Sequence, residues 1–287
     1  MDSKTLKAYS IDLKQFSLFT HNSLEKSTSI DTLENYISNL HSQFKPKTIK
    51  RKMACIKAYF HYLEFKEIIP FNPFNKIETH FCEPQVLPQI IPLHYIEQFL
   101  SAIYNELDNT CTPYKKKTLI RDIAVFELLF ATGMRISELC SLTPEAIDLS
   151  TGNIKIFGKG SKQRMMQIGN PDVINAFVKY YSMNFNPIHT SGYFFLNRDN
   201  NRLYEQSVRE AINKYSKFAG IDQHITPHMF RHSFATYLLE EDVDIHYIQH
   251  MLGHSSIQTT EIHTHVSMKK TKSILVSKHP RNKFSLK

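Results

Sequence analysis

Arg135 and Glu138, in "ATGMRISELCSL", stand three apart at a helix start and can touch. A guanidinium there opposes the helix dipole, which suggests that an anion is held at that point. A surface ion pair of little value is the plain alternative. Lys159, in "GKGSKQR", lies between two glycines. An ammonium on such a turn can protonate a leaving alkoxide if it comes near a phosphate; a generic basic turn has the same composition. His228 and Arg231, in "TPHMFRHSFATYLLE", again stand three apart, and His254, His263 and His265 crowd the run "LGHSSIQTTEIHTHVS". His228 with His232, and His246, His250 and His254, have the HxxxH spacing of zinc sites. The Glu of HExxH is absent from both sets, and Cys55, Cys82, Cys111 and Cys140 form no CxxC pair, so no metal is expected. Finally, Lys45, Lys47, Lys50, Arg51, Lys52 and Lys57 fall within residues 45–57, where there is no acid. A helix bearing them can contact phosphates along a DNA groove, or be a solvated charged face.

These residues need elements to hold them. The chain has 287 residues, 41% hydrophobic and 22% charged, enough for two ordinary globular domains. A formal charge of +8 favours nucleic acid as a partner, and only 8 glycines argue against a Gly-rich nucleotide loop. No signal segment and no apolar run long enough to span a bilayer is present, so a cytoplasmic protein with reduced thiols and no membrane is expected. Leu6, Tyr9, Leu13 and Phe16 mark one helical stripe. Leu33, Ile37, Leu40 and Phe44 mark a second, with Ser29 or Asp31 as cap, and Ile49, Met53, Ile56, Phe60 and Leu63 a third, capped by Thr48. Residues 1–82 are therefore read as a helical domain. "EPQVLPQIIP", residues 83–92, holds Pro84, Pro88 and Pro92 and reads as a linker. Residues 93–287 are mixed but mostly helical. An amphipathic helix ends at Gly133, "NIKIFGKGSKQRMMQIG" forms a hairpin, and helices follow at about 205–219, 227–240, 244–252 and 256–264, before a basic tail "KHPRNKFSLK". The fold class expected is mainly α with a small β-hairpin or sheet.

Taken in order, "TGMRISEL", "GKGSKQR", "HMFRHSFATYLLE" and "IQHMLGHSSIQTT…THV" resemble the motifs of the tyrosine recombinases, the phage integrase family, in the style of Xer-type and conjugative-element integrases. The resemblance covers essentially the whole chain. It implies a helical core-binding domain and a catalytic domain that together clamp duplex DNA, and rejoining through a 3′-phosphotyrosine with neither metal nor cofactor. Arg135 and Arg231 match the arginines that clamp the scissile phosphate, Lys159 the hairpin lysine that protonates the 5′ oxygen, and His228 the histidine that assists proton transfer. His254 matches a phosphate donor and Glu138 the acid that orients the first arginine. The resemblance also implies a bacterial, nucleoid-associated protein, a DNA target with inverted half-sites, a working tetramer, and integration or excision of a mobile element.

The nucleophile departs from the pattern. The family places tyrosine in "T-x-x-Y-x-H-V"; here the frame reads "TTEIHTHV" and His263 fills the slot. Imidazole can attack phosphorus. However, its Nε2 reaches about 2 Å less far from the backbone than a tyrosine oxygen, and a misplacement of about 1 Å costs on the order of 100-fold. The chain is expected to bind DNA and assemble but cleave poorly or not at all. An introduced change that stalls the complex before cleavage and natural decay both fit this pattern. The alternatives are a naturally inactive DNA-binding regulator and a metal-dependent nuclease using the histidines.

Overall fold

The computed structural model describes residues 3–77, 89–158, 163–253 and 268–284. The chain divides into two compact units, Met1–Leu87 and Pro88–Lys287.

The described residues of the first unit form four α-helices, α1 (Ser3–Phe19), α2 (Leu24–Thr28), α3 (Ile30–Gln43) and α4 (Pro46–Phe65), and a 3-10 turn at Pro73–Lys76. Phe16, Leu33, Leu40, Ile49, Met53, Ile56, Phe60 and Leu63 are buried together with Tyr36, which packs edge-on against Phe16. The stripe on α1 departs from expectation. Leu6 is exposed, whereas Asp12 is fully buried beside Phe16. Helix α4 starts earlier than Thr48, with Lys45 at the N-cap and Pro46 in the first turn, where the missing N–H costs nothing and φ is already helical.

The second unit contains α5 (Leu93–Asp108), α6 (Pro113–Thr132), α7 (Ile136–Cys140), the strands β1 (Ile147–Asp148), β2 (Asn153–Phe157) and β3 (Gln163–Gln167), then α8 (Pro171–Ser191), α9 (Glu205–Phe218), α10 (Pro227–Glu240), α11 (Ile245–Leu252) and α12 (Met268–Lys278). The strands form one antiparallel sheet in chain order, with Ile154 opposite Met166 and Ile156 opposite Arg164. Helix α6 ends at Gly133 as expected, but it is less amphipathic than its sequence predicts. It is buried on nearly every side from Leu119 to Thr132 and packs against α5, α8 and α10. Its acids are satisfied inside the core: Asp122 accepts from Tyr215, and Glu127 from Tyr104 and Arg281.

The tail is corrected in the same way. Residues 280–283 form a 3-10 turn, His279 and Phe284 are buried, and Arg281 has no exposed surface. Its guanidinium forms a fork-to-fork pair with Glu127, 2.8 Å on both arms. A buried cation is tolerated only when paired in this way. No helix among the described residues is long and apolar enough to cross a membrane.

Candidate active site

Helix α6 ends at Gly133, whose φ of +57° is left-handed. A Cβ there would lie 2.7 Å from Phe234 Cδ1, so glycine is favoured by conformation and required by space. The reversal delivers Arg135 to the N-cap of α7. Glu138 folds back onto it: the Arg135 N–H donates to Oε2 at 2.9 Å and Nη1 to Oε1 at 2.9 Å. The dipole conflict expected at Arg135 is thus met locally by Glu138, and needs no anion to explain it.

Arg231 sits on α10, which Thr226 caps and Pro227 starts. It is buried, and its fork spans two helix ends: Nη1 donates to the Gly133 carbonyl at 2.9 Å and Nη2 to the Leu252 carbonyl at 2.7 Å. These carbonyls close α6 and α11, and helix C-termini carry the partial negative charge that suits a guanidinium. Burial first, and Arg135 next, pull the Arg231 pKa down to about 10, so it stays cationic at neutral pH. His228, one turn before Arg231, is accessible to solvent. Its imidazole is held below the usual range by the protein packed against it, then by His232, Arg231, Arg209 and Arg135. Arg135, Glu138, His228 and Arg231 are therefore one cluster.

Arg164 on β3 joins it, and was not singled out from the sequence although it ends the motif "GKGSKQR". Its Nη1 and Nη2 donate to the two Glu138 oxygens at 3.0 and 2.7 Å, and its Nε to the Met251 carbonyl at 2.8 Å. Burial works against ionisation of Glu138, but the Arg164 and Arg135 donors outweigh it and hold the carboxyl below its usual range. The guanidiniums of Arg135, Arg164 and Arg231 face a single carboxylate, so the cluster carries excess positive charge. It can hold an anion that offers paired oxygens to a guanidinium fork, as the two non-bridging oxygens of a phosphodiester do. Arg209, which contributes to depressing His228, was also missed; its own carboxylate partner is Glu205, at 3.1 Å.

Lys159, His254, His263 and His265 lie outside the described residues. Among the described residues no group of His, Cys, Asp and Glu could hold a metal ion. In the first unit the basic helix divides. Lys45, Lys47, Lys50, Arg51 and Lys57 are exposed, but Lys52 is 2% exposed and donates to Asp12 at 2.9 Å. It also bonds Gln15 and lies over the Phe44 ring, so Lys52 is a core cation and not part of a phosphate-facing surface. Arg51 shares the Asp12 carboxylate from the outside.

A helical first unit and a helix-rich second unit with one short sheet are the arrangement of one class of DNA breaking-and-rejoining enzymes. The chain belongs to the phage integrase family, the tyrosine recombinases: residues 97–270 match the phage integrase family and residues 1–67 its N-terminal SAM-like domain. It is 52% identical to a tyrosine recombinase of Agathobacter rectalis over 99% of this chain and 93% of that protein. In fold it is similar to the XerH site-specific recombinase bound to palindromic difH substrate in a post-cleavage complex (TM-score 0.71, 21% identity, 96% of this chain and 77% of that one). It is similar too to a lambda integrase tetramer bound to a Holliday junction (TM-score 0.68, 16% identity, 90% and 71%). The activity of the family is site-specific DNA recombination, by breakage and rejoining.

Proposed function

We propose that this chain is a site-specific recombinase of a mobile element that grips a DNA phosphate on Arg135 and Arg231 and stops short of cleavage. The observation that carries the reading is the Arg231 fork, fixed between the Gly133 and Leu252 carbonyls beside an Arg135 that Glu138 orients. Two guanidiniums held in advance stabilise the charge of a pentacoordinate phosphorus without reorganising at the moment of reaction. Held below its usual range, the His228 imidazole is neutral at physiological pH and can take a proton. Lys159 and His254 supply the leaving-group proton and a further phosphate donor, by the match of their motifs.

The nucleophile slot is His263, and this rests on the register of "TTEIHTHV" behind "LGH". Without a tyrosine oxygen, a complete phosphate site lacks its attacking atom. The partner is duplex DNA with inverted half-sites, and the working assembly is a tetramer. The DNA-bound XerH complex and the lambda integrase tetramer on a Holliday junction support both. The exposed cations of the first unit, Lys45, Lys47, Lys50, Arg51 and Lys57, contact the backbone of that duplex.

The test is a nicked suicide duplex carrying the recombination site, incubated with the chain and with His263→Tyr, each with and without chelator. A covalent protein–DNA adduct is expected from His263→Tyr alone, insensitive to chelator. Equal adduct from the unaltered chain would overturn the blocked-nucleophile reading, and chelator-sensitive cleavage would replace it with a metal-dependent nuclease.

A further inference from the structure

Arg164 occupies an inward position of β3. It pairs with Ile156, which is fully buried, and shares its face of the strand with the fully buried Met166. A charge aimed inward from a strand is costly unless it is fully partnered. The Arg164 side chain is only 7% exposed, and each of its nitrogens already donates, two to Glu138 and one to the Met251 carbonyl. With one N–H from each nitrogen committed inside the protein and the side chain nearly buried, it is placed to support a phosphate ligand rather than to be one.

What it holds are the supports of the two arginines that are. Arg135 stands at the start of a five-residue helix with its side chain 39% exposed, so its own packing fixes it weakly. Its fixed contact is Glu138, and the orientation of Glu138 is set by the Arg164 fork, because both carboxylate oxygens bond both arginines. Arg231 rests on the Leu252 carbonyl, and Arg164 holds the carbonyl next to it, that of Met251. Gly253, at φ +64°, makes room for this: a Cβ there would come within 3.1 Å of Arg164 Cδ. One side chain thus ties together the N-terminus of α7, the sheet and the C-terminus of α11.

We propose that Arg164 is the positioning residue of the phosphate site, aligning Arg135 through Glu138 and Arg231 through the end of α11. This rests on the reading that Arg135 and Arg231 grip one phosphate. Lysine cannot replace it, since a single ammonium cannot serve a bidentate carboxylate and a carbonyl together. The alignment is read without cleavage, so it does not depend on His263.

The test uses a duplex that the chain itself selects from a random-sequence pool, remade with one neutral methylphosphonate at each backbone step in turn. For the unaltered chain, the step held by Arg135 and Arg231 shows the largest loss of affinity on neutralisation. In Arg164→Lys that loss is expected to shrink on the order of 10-fold, the scale of one charge-assisted hydrogen bond, while other steps keep theirs. Glu138→Gln should reproduce the effect, and the double variant should add little to either, because both act on one linkage. Arg164→Met with Glu138→Gln repeats the test without an orphaned carboxylate, should Arg164→Lys alone fail to fold. An unchanged loss at the special step in folded Arg164→Lys overturns the proposal. So does an equal drop at every step, or additive effects in the double variant. Absence of any special step in the unaltered chain overturns the phosphate-site reading and this proposal with it.

Discussion

His279 is fully buried, and its two ring nitrogens have opposite tasks. Nε2 faces the Phe130 carbonyl at 3.2 Å and so carries the hydrogen, while Nδ1 accepts the Arg281 N–H at 3.0 Å. A second proton would destroy that cap. Burial, reinforced by Arg281, pushes the imidazole down to about 3 from the usual 6.5. Between those values the unfolded chain binds more protons than the folded one, so stability rises with pH through this window. The contribution is complete above pH 6.5 and is lost as pH falls toward 3. Denaturant unfolding at pH 7 and pH 5 should show the unaltered chain losing about 1.4 kcal/mol per pH unit more than His279→Gln below pH 6.5. Parallel pH profiles would remove this role. Residues of this kind are the least legible in the sequence. His279 and Arg281 read as a solvated basic tail because the partner Glu127 is 154 positions away. Lys52 reads as one of six surface cations because Asp12 is 40 positions away. Arg135, His228 and Arg231 stood out because short local motifs carry them, and the structure brings them together.

Elements were easier to read where one residue enforces the geometry. Gly133 signals the end of α6 because glycine takes that left-handed φ at least cost, and the structure adds Phe234 Cδ1 where a Cβ would go. Gly133→Ala therefore meets both a left-handed backbone and an overpacked contact, and should cost roughly 1–3 kcal/mol in urea unfolding. Because the Gly133 carbonyl also receives Arg231, the substitution should weaken the grip on DNA as well as the fold. A variant as stable as the parent would show that the α6 end relaxes freely. Helix α6 itself misled, for a physical reason. Asp122 and Glu127 look like the polar face of a surface helix, but Tyr215, Tyr104 and Arg281 reach them inside the core. Periodicity counts charges as solvent-facing and cannot see partners brought by other elements.

For the whole molecule, a charge of +8 predicts DNA binding that weakens steeply with salt. The first unit allows a sharp contrast within that footprint. Lys47→Ala removes an exposed cation and should reduce the log–log salt slope by roughly one unit, with the melting temperature unchanged. Lys52→Ala should leave the slope alone and lower the melting temperature, since it removes the buried partner of one oxygen of Asp12 and leaves only Arg51 on the other. The reverse pattern would return Lys52 to the DNA surface. At this scale the sequence was most informative about composition and class, because charge and helical stripes survive without tertiary context.

The Glu127–Arg281 pair has a consequence for how the protein is made. At typical synthesis rates the ribosome needs roughly 8–30 s to travel the 154 residues between the two partners. Throughout that interval α6 carries a carboxylate destined for a dry interior with no cation to meet it. The first unit, whose Asp12 finds Arg51 and Lys52 within 40 positions, faces no such wait. The nascent chain can thus complete the buried ion pairs of its first unit early, while Glu127 in the second unit gains Arg281 only when the end of the chain has been made.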